Sequence, residues 1–109
     1  MAPPPAPGGW VLRFANNDAA RGWEALCRQA AGNTRKAFET IEADPCPRQH
    51  ASRHHPLRDE LATARYGGKP MPHWQYEVTA AGRVWYLIDE ERRTCWLTLA
   101  VTGHPKATG

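Results

Sequence analysis

The spacing of hydrophobic positions changes character along the chain, and each change marks an element. Trp10-Val-Leu-Arg-Phe14 is a short run of β formers, and Asn16-Asn17-Asp18 offers a turn and then a helix N-cap. Beyond the cap, Trp23, Leu26, Cys27 and Ala30 recur at i, i+3, i+4 and i+7, the spacing of one buried helix face. Gly32-Asn33 is expected to break this helix; Thr34 restarts it with Ala37, Phe38 and Ile41 on one side, and Asp44-Pro45 stops it. The product is an αα-hairpin.

The period then shortens to two. Trp74-Gln-Tyr-Glu-Val-Thr79, Arg83-Val-Trp-Tyr-Leu-Ile88 and Thr94-Cys-Trp-Leu-Thr-Leu-Ala-Val101 read as strands joined by turns short enough to make antiparallel hairpins. Trp74, Tyr76 and Val78 in the first, and Cys95, Leu97, Leu99 and Val101 in the last, are expected to face the helices, leaving the other face partly wet. Between the helices and these strands, Pro45 to Pro72 carries five prolines and two glycines, and only Leu57 and Leu61 look able to reach a core. The expectation is a long functional excursion with one turn of helix. The whole is an α+β fold, a helical hairpin on a mostly antiparallel four-stranded sheet in the order β-α-α-loop-β-β-β. Residues 1–9, with four prolines and two glycines, read as a disordered leader, and 10–109 as one domain.

A chain of 109 residues holds one two-layer core. The net charge of +3 becomes informative once it is located. Lys/Arg and Asp/Glu balance from Met1 to Pro47 and again from Trp74 to Gly109, so the excess lies in Arg48 to His73. There Arg48, Arg53, Arg58, Arg65 and Lys69 face only Asp59 and Glu60, and four of the five histidines (His50, His54, His55, His73) share the segment. Such a run suits a polyanion; it is also what a solvated basic loop looks like. Cys27, Cys46 and Cys95 are odd in number with no CxxC pair, which suggests no disulfide framework, and a reducing compartment is expected. The Cys46-X3-His50-X3-His54 spacing falls short of the four ligands of a structural zinc site, so no metal and no cofactor is expected. No apolar run approaches the ~20 residues that cross a bilayer. The expected location is the cytoplasm.

Three stretches carry a family resemblance. Gly82-Arg83-Val84-Trp85-Tyr86-Leu87-Ile88-Asp89 and Val101-Thr102-Gly103-His104-Pro105-Lys106 are similar to the arginine-bearing strand and the closing Gly-His-X-Lys tail of the RelE/ParE toxin superfamily. Pro56-Leu57-Arg58-Asp59-Glu60-Leu61 resembles its Leu-Lys-Gly-X-Leu segment, with Asp59 where the family has glycine. With the helical hairpin, the likeness runs from Trp10 to Lys106. It implies a toxin of a type II toxin-antitoxin system, and in the RNase branch a metal-independent endoribonuclease that cuts mRNA on the ribosome and inhibits translation. In that reaction the message's own 2′-hydroxyl attacks the neighbouring phosphate.

The reaction needs a proton acceptor, a proton donor and fixed cations around the phosphate. Carried over by resemblance, Arg83 and Arg58 would grip phosphate, His104 would exchange a proton, and Lys106 would neutralise charge or serve as the acid. Arg83 could instead pair with Glu77 across the hairpin. Arg48, Arg53, Arg65, Lys69, His54 and His55 are expected to contact RNA, and Trp74 or Trp96 could stack on a base. Many RNase members place a tyrosine near the C-terminus; this chain ends Ala107-Thr108-Gly109, so that task would fall to His104 or Tyr86. The implied partners are the ribosome, mRNA and a cognate antitoxin protein, with no membrane. The alternatives are a ParE-like inhibitor of DNA gyrase and a non-catalytic interaction protein.

Overall fold

Asn16 starts the first helix as the pattern requires: its side-chain oxygen accepts from the Ala19 N–H at 2.7 Å, while its Nδ2 donates to the Thr98 carbonyl at 3.1 Å. In the computed structural model, which describes residues 9–103, strand β1 (Val11–Phe14) leads into α1 (Asn17–Gln29) and α2 (Ala31–Ala43). The break falls at Ala30, two residues before the expected one. The Thr34 hydroxyl, fully buried, bonds the Leu26 carbonyl at 3.1 Å and satisfies the end of α1. Gly32-Asn33 then sits in the first turn of α2, where a missing side chain disturbs little. Ala19 and Leu26 are buried, but Cys27 is exposed, because α1 packs on the sheet through Ala19, Gly22 and Leu26 rather than through the whole expected face.

The excursion folds into the sheet. β2 (His54–Pro56) pairs antiparallel with β4 (Lys69–Glu77), and so does β3 (Thr63–Tyr66), with a short 3-10 turn at Asp59–Leu61 between them. β5 (Arg83–Asp89) and β6 (Thr94–Val101) complete the meander, and β1 adds in parallel beside β6. The sheet is therefore mixed and six-stranded, in the order β1-β6-β5-β4-β2 with β3 paired to β4, rather than four-stranded. Prolines disguised it. Pro70 and Pro72 lie in the part of β4 that pairs with β3 before β5 begins at His73↔Leu87, so their missing N–H groups interrupt no central ladder. The β3–β4 turn is Gly67-Gly68, with φ of 61° and 82°, the two-residue form that matches strand twist.

Val84, Tyr86 and Ile88 join Trp74, Tyr76, Val78, Cys95 and Leu97 against the helices in one core, the last five as the alternation predicts. It then slips. Trp85 lies opposite Leu99 and Tyr86 opposite Leu97, so Thr98 is an extra residue in β6. This bulge turns Leu99 away from the helices and brings Ala100 in. The approach requires glycine at position 22, because the Ala100 carbonyl lies 1.7 Å from where a Cβ on Gly22 would be.

Candidate functional site

On β5 the residues between the core positions, Arg83, Trp85 and Leu87, point to the face opposite the helices, together with Gln75 and Glu77 of β4 and His55 of β2. Register sets them in rows. His55, Gln75, Trp85 and Leu99 form one row across four strands; Glu77, Arg83 and Val101 form the next, and the Glu77 N–H donates to the Arg53 carbonyl at 2.7 Å. With strands ~4.8 Å apart and rungs of one face ~6.8 Å apart, the backbones of His55 and Arg83 lie roughly 12 Å from one another.

Arg83 is held. Its Nη1 donates to Glu77 Oε2 at 3.1 Å, and its side chain is only 13% exposed. The pairing weighed as the alternative for this arginine is the one present, so Arg83 could reach a phosphate only as one member of an ion pair. His104 and Lys106 lie outside the described residues. The described chain leaves β6 at Val101, directly opposite Arg83.

Beside this face opens a cleft of about 500 Å³ lined by His50, Ser52, His55, Leu57 and Arg58. A chain of hydrogen bonds orients the His55 ring. Trp85 Nε1 donates to Gln75 Oε1 at 2.8 Å, Gln75 Nε2 stands 3.4 Å from His55 Nε2, and His55 Nδ1 donates to the Pro56 carbonyl at 3.0 Å. Arg58 is exposed at the cleft wall and the 3-10 turn begins after it.

The remaining expected contacts divide. Arg48 and Arg53 are exposed, and Arg65 is exposed with its Nη2 donating to the Gly68 carbonyl at 2.6 Å. Lys69 is exposed but ion-paired with Glu91. His54, expected at the RNA surface, is instead 7% exposed on the helix side of the sheet, its Nε2 at 2.5 Å from the Tyr86 hydroxyl, which in turn donates to the Pro45 carbonyl at 2.5 Å. Burial lowers its pKa. Tyr86, held in that same contact and fully buried, has no surface on which to stack a base, and Trp74 is buried too. Trp96 is half-buried beneath Tyr66, with ring centres 4.7 Å apart.

His73, buried on the far face, bonds the Leu61 carbonyl through Nδ1 at 3.0 Å and the Thr98 hydroxyl through Nε2 at 2.8 Å, and burial lowers its pKa also. Burial works to raise the pKa of the Asp89 carboxyl, but hydrogen bonds from the Trp96 indole and from Arg92 outweigh it and hold the group below the usual range. Gln75 and Trp85 were not singled out as polar partners from sequence. Alternation along β4 and β5 places both on the far face, and that signal could have found them; that His55 joins them follows only from the β2 register. No group of histidine, cysteine or acidic side chains suited to a metal occurs among the described residues. No family model, curated protein or solved structure matches the chain.

Proposed function

We propose that the chain is a RelE-like toxin of a type II toxin-antitoxin pair, and that it cleaves mRNA on the ribosome and is silenced by a cognate antitoxin. The observation that carries this reading is the convergence of Arg58 and His55 in one open cleft, on the sheet face that also carries Arg83 two strands and one rung away. A ring nitrogen that can accept a proton and a guanidinium beside one phosphodiester are among what metal-independent cleavage asks of a protein. Three further features support it. A helical hairpin after the first strand, packed on a sheet that ends in an antiparallel meander, is in keeping with the resembled fold, although β2 and β3 add two strands to the four expected. Asp59 adopts φ of 55°, a left-handed conformation that glycine, the residue at this place in the resembled segment, takes without strain. Arg48, Arg53 and Arg58 have no carboxylate within ion-pair reach among the described residues, so their charge is available to a polyanion. An acidic amphipathic segment of an antitoxin is the natural cover for such an edge.

The test is expression from a repressed promoter in a bacterial host. Induction stops growth and leaves messages cut within ribosome-bound codons, seen as new primer-extension ends; Arg58→Ala and Arg83→Ala each relieve both effects. Growth arrest with intact messages and altered DNA supercoiling would move the assignment to gyrase inhibition. The Arg83–Glu77 ion pair favours a second reading, a non-catalytic protein that keeps the toxin scaffold to bind its antitoxin. In that case neither growth nor messages change on induction while the folded chain still binds the neighbouring gene's product.

A further inference from the structure

The hydrogen bonds around His55 fix more than its position. An indole N–H only donates, so Gln75 must turn its carbonyl oxygen toward Trp85 Nε1, 2.8 Å away. That orientation leaves the Gln75 amide nitrogen facing His55 Nε2 at 3.4 Å. Two N–H groups cannot share that contact. His55 Nε2 must therefore present its lone pair, and the ring proton sits on Nδ1, where the Pro56 carbonyl receives it at 3.0 Å. Trp85 is 8% exposed on the far face and Gln75 half-buried, so the lock is made of packed side chains on central strands, which hold geometry better than a loop does. Its outcome is an imidazole whose proton sits on Nδ1, on a residue that lines a 500 Å³ cleft together with Arg58.

We infer that His55 is the proton acceptor of RNA cleavage in this protein, with Gln75 and Trp85 as positioning residues that select its tautomer. The inference rests on the reading of the chain as a ribonuclease and names a residue for which the C-terminal tail was the expected source. In the step, O2′ forms its bond to phosphorus as the P–O5′ bond breaks. The 2′ proton passes to His55 Nε2 as the Gln75 contact lengthens, and Arg58 faces the phosphate oxygens. The departing 5′ oxygen takes a proton from water; His55 then returns its own to the hydroxide so formed. The products are a 2′,3′-cyclic phosphate and a 5′-hydroxyl.

The experiment uses the full chain with mRNA-programmed ribosomes and follows cleavage against pH. His55→Ala and His55→Gln are both expected to lose at least about 100-fold, the usual scale of a removed base. Gln75→Ala and Trp85→Phe are expected to lose about tenfold. In both, the acidic limb of the rate profile moves to higher pH, a displacement that loss of folding would not cause. In parallel, nitrogen NMR of the ring reads a single Nδ1–H form for His55 in the wild type and a mixture of forms in Trp85→Phe. Two results would overturn the inference while leaving the ribonuclease reading intact: His55 variants that fold and cleave within threefold of wild type, or an Nε2–H form in the wild type. Ribosome-bound message left whole by the wild-type chain would remove the ribonuclease reading, and the inference with it.

Discussion

Tyr86 ties the excursion to the sheet with one atom. Its hydroxyl is fully buried, donates to the Pro45 carbonyl and accepts from His54 Nε2, both at 2.5 Å. Tyr86→Phe removes both of these hydrogen bonds, and an unsatisfied buried group costs about 1–3 kcal/mol. A urea midpoint lowered by that amount, with the slope unchanged, is the expected result. The same neighbourhood makes stability depend on pH. Burial lowers the pKa of His54 and of His73 from the ordinary 6.5, so the unfolded chain binds protons that the folded chain refuses. Stability is therefore full above about pH 6.5 and falls as pH drops, with a ceiling of about 1.4 kcal/mol per pH unit for each histidine until its folded value is passed. The carboxyls of Asp89 and Glu91, both lowered, add their losses only in a more acid window. Thermal melts between pH 7.5 and 5 read the histidine part, and His73→Gln should make the fall shallower. A melting temperature that stays flat over that range would contradict the burial of both rings as neutral groups.

Among elements, α1 packs closely on β6, and the contact depends on the absence of one side chain. Gly22 faces the Ala100 carbonyl so tightly that its missing Cβ would overlap it. Gly22→Ala must push backbone from backbone, and the expected loss is about 3 kcal/mol, the upper end for overpacking, read from thermal or urea unfolding. A loss under 0.5 kcal/mol would mean that the helix does not lie where it is described. The bulge at Thr98 creates this contact by bringing Ala100 inward, and it also shows where sequence reading stops. Both helices, the three long C-terminal strands and the core from Trp74 to Leu97 follow from periodicity. A bulge inserts one residue without any mark in composition, so Leu99 and Val101 were expected on the wrong face. β2 and β3 were hidden for another reason: Pro56, Pro70 and Pro72 are breakers by type and become harmless only once the pairing is known. The candidate site was legible in part. Arg58 and His55 sat in a segment marked by its charge, but which of its neighbouring histidines faces solvent depends on the strand register that buries His54 and presents His55.

At the scale of the whole molecule, charge is sorted by surface. On the helices, Arg21 pairs with Asp18 and Arg35 with Glu39, one turn apart, so their fields largely cancel. In the segment that leads into and forms the β2–β3 edge, Arg48, Arg53 and Arg65 are exposed, with no carboxylate in ion-pair reach among the described residues. If that edge tracks an RNA backbone, each contact releases condensed counterions, and for a single strand it contributes about 0.7 to the slope of log affinity against log salt. Two triple variants separate this from net charge. Arg48→Gln with Arg53→Gln and Arg65→Gln should flatten the slope by about 2 for a short single-stranded RNA. Arg21→Gln with Arg28→Gln and Arg35→Gln removes the same formal charge from the helical face and should leave the slope within a few tenths of wild type, because charges more than a Debye length of about 8 Å from the strand are screened at physiological salt. Fluorescence anisotropy between 50 and roughly 200 mM salt gives both slopes. Equal flattening by the two triples would mean that RNA is attracted by overall charge alone, and the β2–β3 edge would lose its claim to be the binding surface.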